Sequence, residues 1–379
     1  MIVIDARSAR TGGGQTYVRN LLSGEIPEAI AEVTVLAPQS LEGIGNHPRV
    51  KIERFPRLLT LPLFRIIGHW SVQRICRGRN ADVLFFTGGS VPRGAKPKWA
   101  QVTMFRNMLP FDAVERRRYP MGYIRLRLWL LHAVIVKSLR RADHVIMVSD
   151  LARDTIGSID PSVLAKSEVI THGVEQCHGT QSDLVRPGWL PSTYYLYVSN
   201  VEPYKRQMEV VQAYSELRRN VPRAGKLLLV GPESSQWYAK RVRREIERLG
   251  LEPFVIIKGP VPYDELPLIF HHAEFGIFAS TCEACPNALL EAMASGLALV
   301  VSSVRPMPEF AGDAALYCDT SDPMSIAAQL ITLSNDSSLR RELGRRASSR
   351  AANYRWNETT SRTWARLAEL GAAYRQTPA

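Results

Sequence analysis

The stretch Ser280-Thr281-Cys282-Glu283-Ala284-Cys285-Pro286-Asn287-Ala288-Leu289-Leu290-Glu291-Ala292-Met293-Ala294-Ser295-Gly296 sits between two apolar runs, 275–278 and 298–301, that read as strands. A loop carries Glu283, Pro286 opens a helix, Glu291 lies on its first turns and Gly296 closes it. Two carboxylates therefore frame a helix N-terminus. Such a terminus holds a diphosphate through its unpaired N–H groups and the positive end of its dipole, while the carboxylates accept hydrogen bonds from sugar hydroxyls. The small residues Ala292, Ala294 and Gly296 let this helix pack closely, which an ordinary exposed acidic helix would not need.

Outward from this segment, short Val-, Ile- and Leu-rich runs alternate with helical patterns, the signature of parallel sheets covered on both faces. Strands are expected at 2–4, 33–36, 83–86, 98–104, 144–148 and 167–170, and again at 194–198, 226–230, 255–258, 275–278 and 298–301. Each set makes an α/β domain. Between them HGVEQCHGTQSDLVRPGWLPST, 172–193, reads as a linker. At 356–376 Trp356, Thr360, Trp364, Leu367, Leu370 and Tyr374 share one helical face, so two indoles on a terminal helix need a surface to cover.

The chain has 379 residues, 45% of them hydrophobic, which is apolar mass for two cores and excludes disorder and small disulfide scaffolds. Five scattered cysteines, Cys76, Cys177, Cys282, Cys285 and Cys318, fit a reducing compartment, and the cytoplasm is expected. No apolar run approaches the roughly 20 residues of a spanning helix. Cys282 and Cys285 lack a second pair to complete a four-ligand zinc site, and no Asp-x-Asp is present, so no metal is expected.

The net charge of +12 is unevenly spread: residues 1–190 carry +10. Two stretches without any acid, 54–81 and 116–142, interleave arginines with Leu and Trp. An anionic membrane surface attracts such segments, and a buried helix whose arginines snorkel to solvent accounts for them equally. Nucleic acid is not expected as a partner, because no recognition motif accompanies the charge.

Behind the first strand, Gly12-Gly13-Gly14 opens a helix, which brings backbone N–H groups close to an anion or merely makes a tight turn. Lys205 follows Pro203 at another helix start, where a cation is electrostatically disfavoured unless an anion faces it. Arg106-Asn107 stands at a strand end; Arg106 pairs either with a ligand anion or with Asp112 or Glu115.

The segment 280–296 resembles the E-x7-E signature of glycosyltransferase family 4, retaining enzymes of the GT-B fold, with Glu283 and Glu291 in place. The glycine loop, VSDLARDT at 148–155, HGV at 172–174, YVSNVEPYK at 197–205, GPVPYDEL at 259–266 and the terminal helix extend the likeness over most of the chain. The resemblance implies two Rossmann-like parallel-sheet domains facing a cleft: an acceptor domain 1–185, a nucleotide-sugar domain 186–355, and a helix 356–379 crossing back to the first. It implies a retaining glycosyltransferase that uses a nucleotide diphosphate sugar without a metal and delivers the sugar to a glycan or lipid-linked acceptor, as in bacterial surface polysaccharide synthesis, in the cytoplasm or on the inner face of its membrane. Glu283 would contact the donor sugar, Glu291 the ribose, and Lys205 the diphosphate, with Gly13, Gly14, Asn107, Arg206, Gly259, Pro286, Asn287, Ala288 and Leu289 lining the donor. The family's arginine five or six residues before the lysine is replaced here by Asn200 and Ser199, and its histidine near the reacting sugar by Arg106. Arg106 or Arg206 would then supply the second cation for the departing diphosphate. A GT-B epimerase or a noncatalytic scaffold would share the fold.

Overall fold

The computed structural model describes residues 1–9, 12–43, 47–55, 65–88, 91, 97–175 and 186–376, without the side chains of 65–69. The chain forms two compact units, Met1–Phe111 with Leu126–Gly173 and Arg355–Ala379, and Asp112–Arg125 with Val174–Tyr354.

The first unit is built on seven parallel strands, β1 (Ile2–Asp5), β2 (Val33–Pro38), β3 (Val50–Phe55), β4 (Val83–Phe86), β5 (Ala100–Phe105), β6 (His144–Met147) and β7 (Ser167–Val169), in the order β3-β2-β1-β4-β5-β6-β7. The central strands are buried on both faces, which is why they read as unbroken apolar runs. The helix Gly13–Ser23 lays Tyr17, Val18, Leu21 and Leu22 into this core. The terminal helix Trp356–Gln376 buries Thr359, Thr360, Thr363, Trp364, Leu367 and Gly371 in the same unit. There the indole Nε1 of Trp364 donates to the Leu21 carbonyl at 3.0 Å, and Thr359 Oγ1 to the Thr171 carbonyl at 2.8 Å. Burial of the indole is thus completed by a satisfied polar tip.

The second unit holds six parallel strands, β8 (Tyr194–Val198), β9 (Lys226–Val230), β10 (Val255–Gly259), β11 (Phe275–Phe278), β12 (Leu299–Ser302) and β13 (Leu316–Cys318), in the order β10-β9-β8-β11-β12-β13. Both sheets follow the doubly wound pattern of two Rossmann-like domains.

Four expectations are corrected. Strands β3 and β13 were not anticipated: each is an edge, where VKIERF alternates with charge and LYC is only three residues long. Residues 112–125, assigned from sequence to the N-terminal domain, belong to the second unit, where Arg206 donates to Glu115 and Tyr119 donates to Glu202. The strands expected at 98–104 and 298–301 are shifted one or two residues toward the C-terminus. The second unit resumes at Val174 and not at the expected residue 186, and Cys177 and Leu58 to Leu63 of the first acid-free stretch lie outside the described residues.

Candidate functional site

In an open parallel sheet, ligands bind beyond the C-terminal strand ends at the point where the strand order reverses. In the second unit that point lies between β8 and β11. The chain leaves β8 toward a tight turn, Pro203–Lys205, and leaves β11 toward the loop that carries Glu283. The two loops are tied together: Thr281 donates through N at 2.9 Å and through Oγ1 at 3.1 Å to the Tyr204 carbonyl, and Tyr197 Oη donates to the Lys205 carbonyl at 2.6 Å. A Cβ on Gly231, beyond β9, would meet the Ser199 carbonyl oxygen at 2.1 Å, so only glycine lets the neighbouring loops close up here.

This scaffold brings Lys205 and Glu283 together. Lys205 Nζ donates to Glu283 Oε1 and lies over the rings of Tyr204 and Phe278, 5.2 and 5.4 Å from their centroids. Lys205 is only 7% exposed, so its ammonium is a buried cation held by one carboxylate and two π faces. Three residues beyond Glu283, Pro286 opens the helix Asn287–Ala294, which has no side-chain cap. In its first turn Asn287 N donates to the Cys285 carbonyl and Leu289 N to the Pro286 carbonyl, both at 3.0 Å, and this terminus offers an anion the positive end of the helix dipole. Ala288 and Leu289 lie on that first turn and Glu291 on the next.

Glu291 accepts a hydrogen bond from Tyr263 Oη at 2.9 Å. Burial pushes its carboxyl up to about 7, and the Tyr263 hydroxyl opposes that rise by stabilising the ionised form. Gly259 ends β10 at φ 78°, a left-handed conformation, and its carbonyl accepts from Gly231 N at 2.9 Å. It shapes the loop that leads to Tyr263.

Arg206 is a correction. Expected to serve a diphosphate, it is 4% exposed and clamped, with Nη2 donating to Glu115 at 2.9 Å and Nη1 to Glu209 at 3.1 Å. It holds the 112–125 segment against the helix Gln207–Asn220 and is committed to that structural bridge. Glu115, taken up by Arg206 and Arg118, and Asp112, which caps Glu115 N at 2.9 Å, are likewise engaged.

In the first unit the strand order reverses between β1 and β4. Gly13 and Gly14 form the first turn of their helix, again without a side-chain cap, and the Arg106 guanidinium packs against Gly14; Asn107 beside it is exposed. Among the described residues no group of three His, Cys, Asp or Glu side chains could hold a metal ion. Burial raises the Cys282 thiol well above its ordinary value, so it stays a protonated, inert thiol.

Four contributors escaped the sequence reading. Tyr204 and Phe278 under Lys205 were unremarkable aromatic residues. Tyr263 stood inside a quoted loop with no signal that it reached Glu291, and Gly88, against Arg106, followed β4 in a run of small residues.

The family model described as "Glycosyl transferases group 1" matches residues 190–350, and that described as "Glycosyltransferase Family 4" matches residues 11–176. An O-antigen chain mannosyltransferase B of Escherichia coli is 30% identical over 170 residues, 45% of this chain and 44% of that protein. The serotype-specific mannosyltransferase WbdA of Escherichia coli is 24% identical over 345 residues, 86% of this chain and 40% of that protein. The matched stretches thus span about two fifths of the length of these relatives. Among solved structures, WaaG, a glycosyltransferase involved in lipopolysaccharide biosynthesis, shares 15% identity with a TM-score of 0.72 over 97% of this chain and 99% of its own. Sucrose-phosphate synthase of Thermosynechococcus elongatus shares 18% with a TM-score of 0.73 over 98% and 99%. Anabaena Alr3699/HepE, solved with UDP and glucose, shares 15% with a TM-score of 0.69 over 97% and 99%. These likenesses establish the GT-B fold.

Proposed function

The chain belongs to glycosyltransferase family 4, and from that premise we propose that it moves a sugar from a nucleotide diphosphate donor to a glycan or lipid-linked acceptor, with retention at the anomeric carbon. The observation that carries the reading is the buried Lys205–Glu283 pair at the reversal between β8 and β11, next to the uncapped helix that bears Glu291.

In this reading the donor takes over both partners of the pair. Its diphosphate accepts from Lys205 and from the helix N–H groups, Glu283 is released to accept from hydroxyls of the sugar, and Glu291 accepts from the ribose hydroxyls. As the sugar–phosphate bond breaks, negative charge grows on the leaving diphosphate. Lys205 and the helix terminus are already in place to oppose it, so they stabilise the transition state more than the ground state. The acceptor oxygen forms the new bond and its proton passes to a phosphate oxygen of the leaving group. No cofactor beyond the donor enters this scheme.

The acceptor belongs, on this proposal, to bacterial surface polysaccharide, a reading supported by the relative named as an O-antigen chain mannosyltransferase. A membrane-borne acceptor is supported by the helix Tyr123–Arg141, which leaves Tyr123, Leu126 and Trp129 73%, 57% and 59% exposed among Arg127, Lys137 and Arg140 and has no acid. The snorkelling alternative does not explain these exposed apolar side chains, which an anionic bilayer would cover. No helix among the described residues is long and apolar enough to cross a membrane.

The test is release of nucleoside diphosphate from a panel of nucleotide sugars, with and without membrane extract as acceptor. A transferase releases it only when acceptor is present. Release at the same rate without acceptor would indicate an epimerase or hydrolase, and no release with any donor a scaffold.

A further inference from the structure

Among the described residues only Asn80 and Arg206 stand at positive φ without being glycine. Asparagine enters that region readily, whereas arginine does so against the crowding of its Cβ by the following carbonyl oxygen. Arg206, at φ 57° and ψ 30°, ends the turn Pro203–Lys205 and begins the helix Gln207–Asn220. A right-handed residue there would let the turn run on into the helix; the left-handed one breaks the path directly behind Lys205. Such a conformation persists only where its surroundings enforce it, and residues of this kind cluster at functional sites.

The enforcing contacts come from the segment 112–125. Glu115, 3% exposed, faces Arg206 at 2.9 Å and Arg118 at 3.2 Å, and Glu209 faces the same two cations at 3.1 and 3.9 Å. Two guanidinium groups and two carboxylates thus alternate around the side chain of residue 206, and Asp112 caps the short helix Ala113–Arg118 that presents Glu115. At the other end of the turn the buried Tyr119 donates through Oη to Glu202 at 2.8 Å, and the Glu202 carbonyl accepts from Lys205 N at 2.9 Å. Tyr197 and Thr281 hold carbonyls inside the turn, while 112–125 grips the two residues that bound it.

We propose that the segment 112–125 is a positioning element for the reaction: Glu115, through Arg206, and Tyr119, through Glu202, fix the turn that aims the Lys205 ammonium, and neither touches a reactant. A preorganised cation opposes developing charge only as well as its placement allows, so this grip governs rate. The inference rests on the transfer reading only for what Lys205 meets.

Timed acetylation of the full chain with acetic anhydride, followed by mass spectrometry of the peptide bearing Lys205, reads the placement without any donor. Tyr119→Phe removes only a hydroxyl and Glu115→Gln only a charge. In each, Lys205 should react at least about fivefold faster than in the wild-type chain, while the exposed Lys226 and Lys240 react at unchanged rates. Arg206→Ala and Arg206→Gly lose the same guanidinium, but glycine alone enters the left-handed region freely, so Lys205 should stay better protected in the glycine variant. Every variant is assayed at a temperature where circular dichroism shows it folded. With a donor that turns over, kcat should fall by more than KM rises in Tyr119→Phe and Glu115→Gln, because a contact of the transition state is misplaced. Acetylation of Lys205 as slow in these two variants as in wild type, equal rates in the alanine and glycine variants, or a loss of activity carried by KM alone overturns the proposal. A chain whose Lys205 responds as described but which turns over no donor keeps the proposal and rejects the transfer reading.

Discussion

Charge pairing decides the roles of individual residues here. Lys205 and Arg206 are adjacent in sequence and both buried, yet one faces a single carboxylate that a ligand can replace, while the other is held between Glu115 and Glu209. Lys205→Met should therefore abolish donor binding in a chain that still folds. Arg206→Met should leave Glu115 and Glu209 to the more exposed Arg118 alone and cost up to about 3–5 kcal/mol of stability, the range for breaking a buried pair. Urea unfolding and donor titration on both variants check this, and loss of donor affinity in a fully stable Arg206→Met chain would reverse the assignment. Glu283→Gln keeps an acceptor for Lys205 but loses the charge, and should lower kcat/KM by the equivalent of about 1.5–3 kcal/mol for a charged hydrogen bond. Glu291 titrates. Because its folded value near 7 lies above the ordinary 4.5, the folded chain binds the extra proton between those values, and this residue's contribution to stability fades as pH rises through 7. Donor affinity should move the opposite way, rising with pH as the carboxylate forms and accepts ribose hydroxyls. Tyr263→Phe removes the hydrogen bond that favours ionisation, so the midpoint of that rise should shift to higher pH; an unmoved midpoint would separate Tyr263 from the ribose contact.

At the scale of elements, what sequence reveals depends on burial. The central strands announce themselves because both faces are covered, and the segment 280–296 does so because a strand, a proline-started helix and two acids occur at fixed spacing. Strand β3 does not, since Lys51, Glu53 and Arg54 on a sheet edge erase the apolar run. Contacts between distant loops leave no local mark either: nothing in PYK at 203–205 foretells Glu283, and nothing in the run at 88 foretells Arg106. The helix Tyr123–Arg141 is the element whose environment sequence left open between membrane and interior. Its exposed Leu126, Trp129 and Leu130 make the membrane test one of apolar contact as much as of charge. Co-sedimentation with anionic vesicles should fall severalfold when these three become Ser, and should weaken in high salt because each basic residue near such a surface contributes about 1 kcal/mol. Equal recovery in the supernatant with anionic and with neutral vesicles would remove the bilayer from the account.

At the scale of the whole molecule, two doubly wound sheets each place a glycine-permitted loop junction and an uncapped helix where their strand order reverses, but only the second adds a pair of acids. The first unit is completed by the last segment of the chain. Trp364→Ala opens a cavity under the terminal helix and should destabilise that unit by about 3–5 kcal/mol, seen as a lowered first transition in calorimetric unfolding. The central claim concerns the second unit: that the reversal between β8 and β11 holds a nucleotide diphosphate sugar through Lys205, Glu283 and Glu291. Calorimetric titration of a panel of nucleotide sugars, into the wild-type chain and into Glu291→Gln, measures it most directly. The account predicts that at least one donor binds with one-to-one stoichiometry and that Glu291→Gln weakens it at least tenfold. A donor that binds both chains equally well, or a wild-type chain that binds no nucleotide sugar at all, would contradict it.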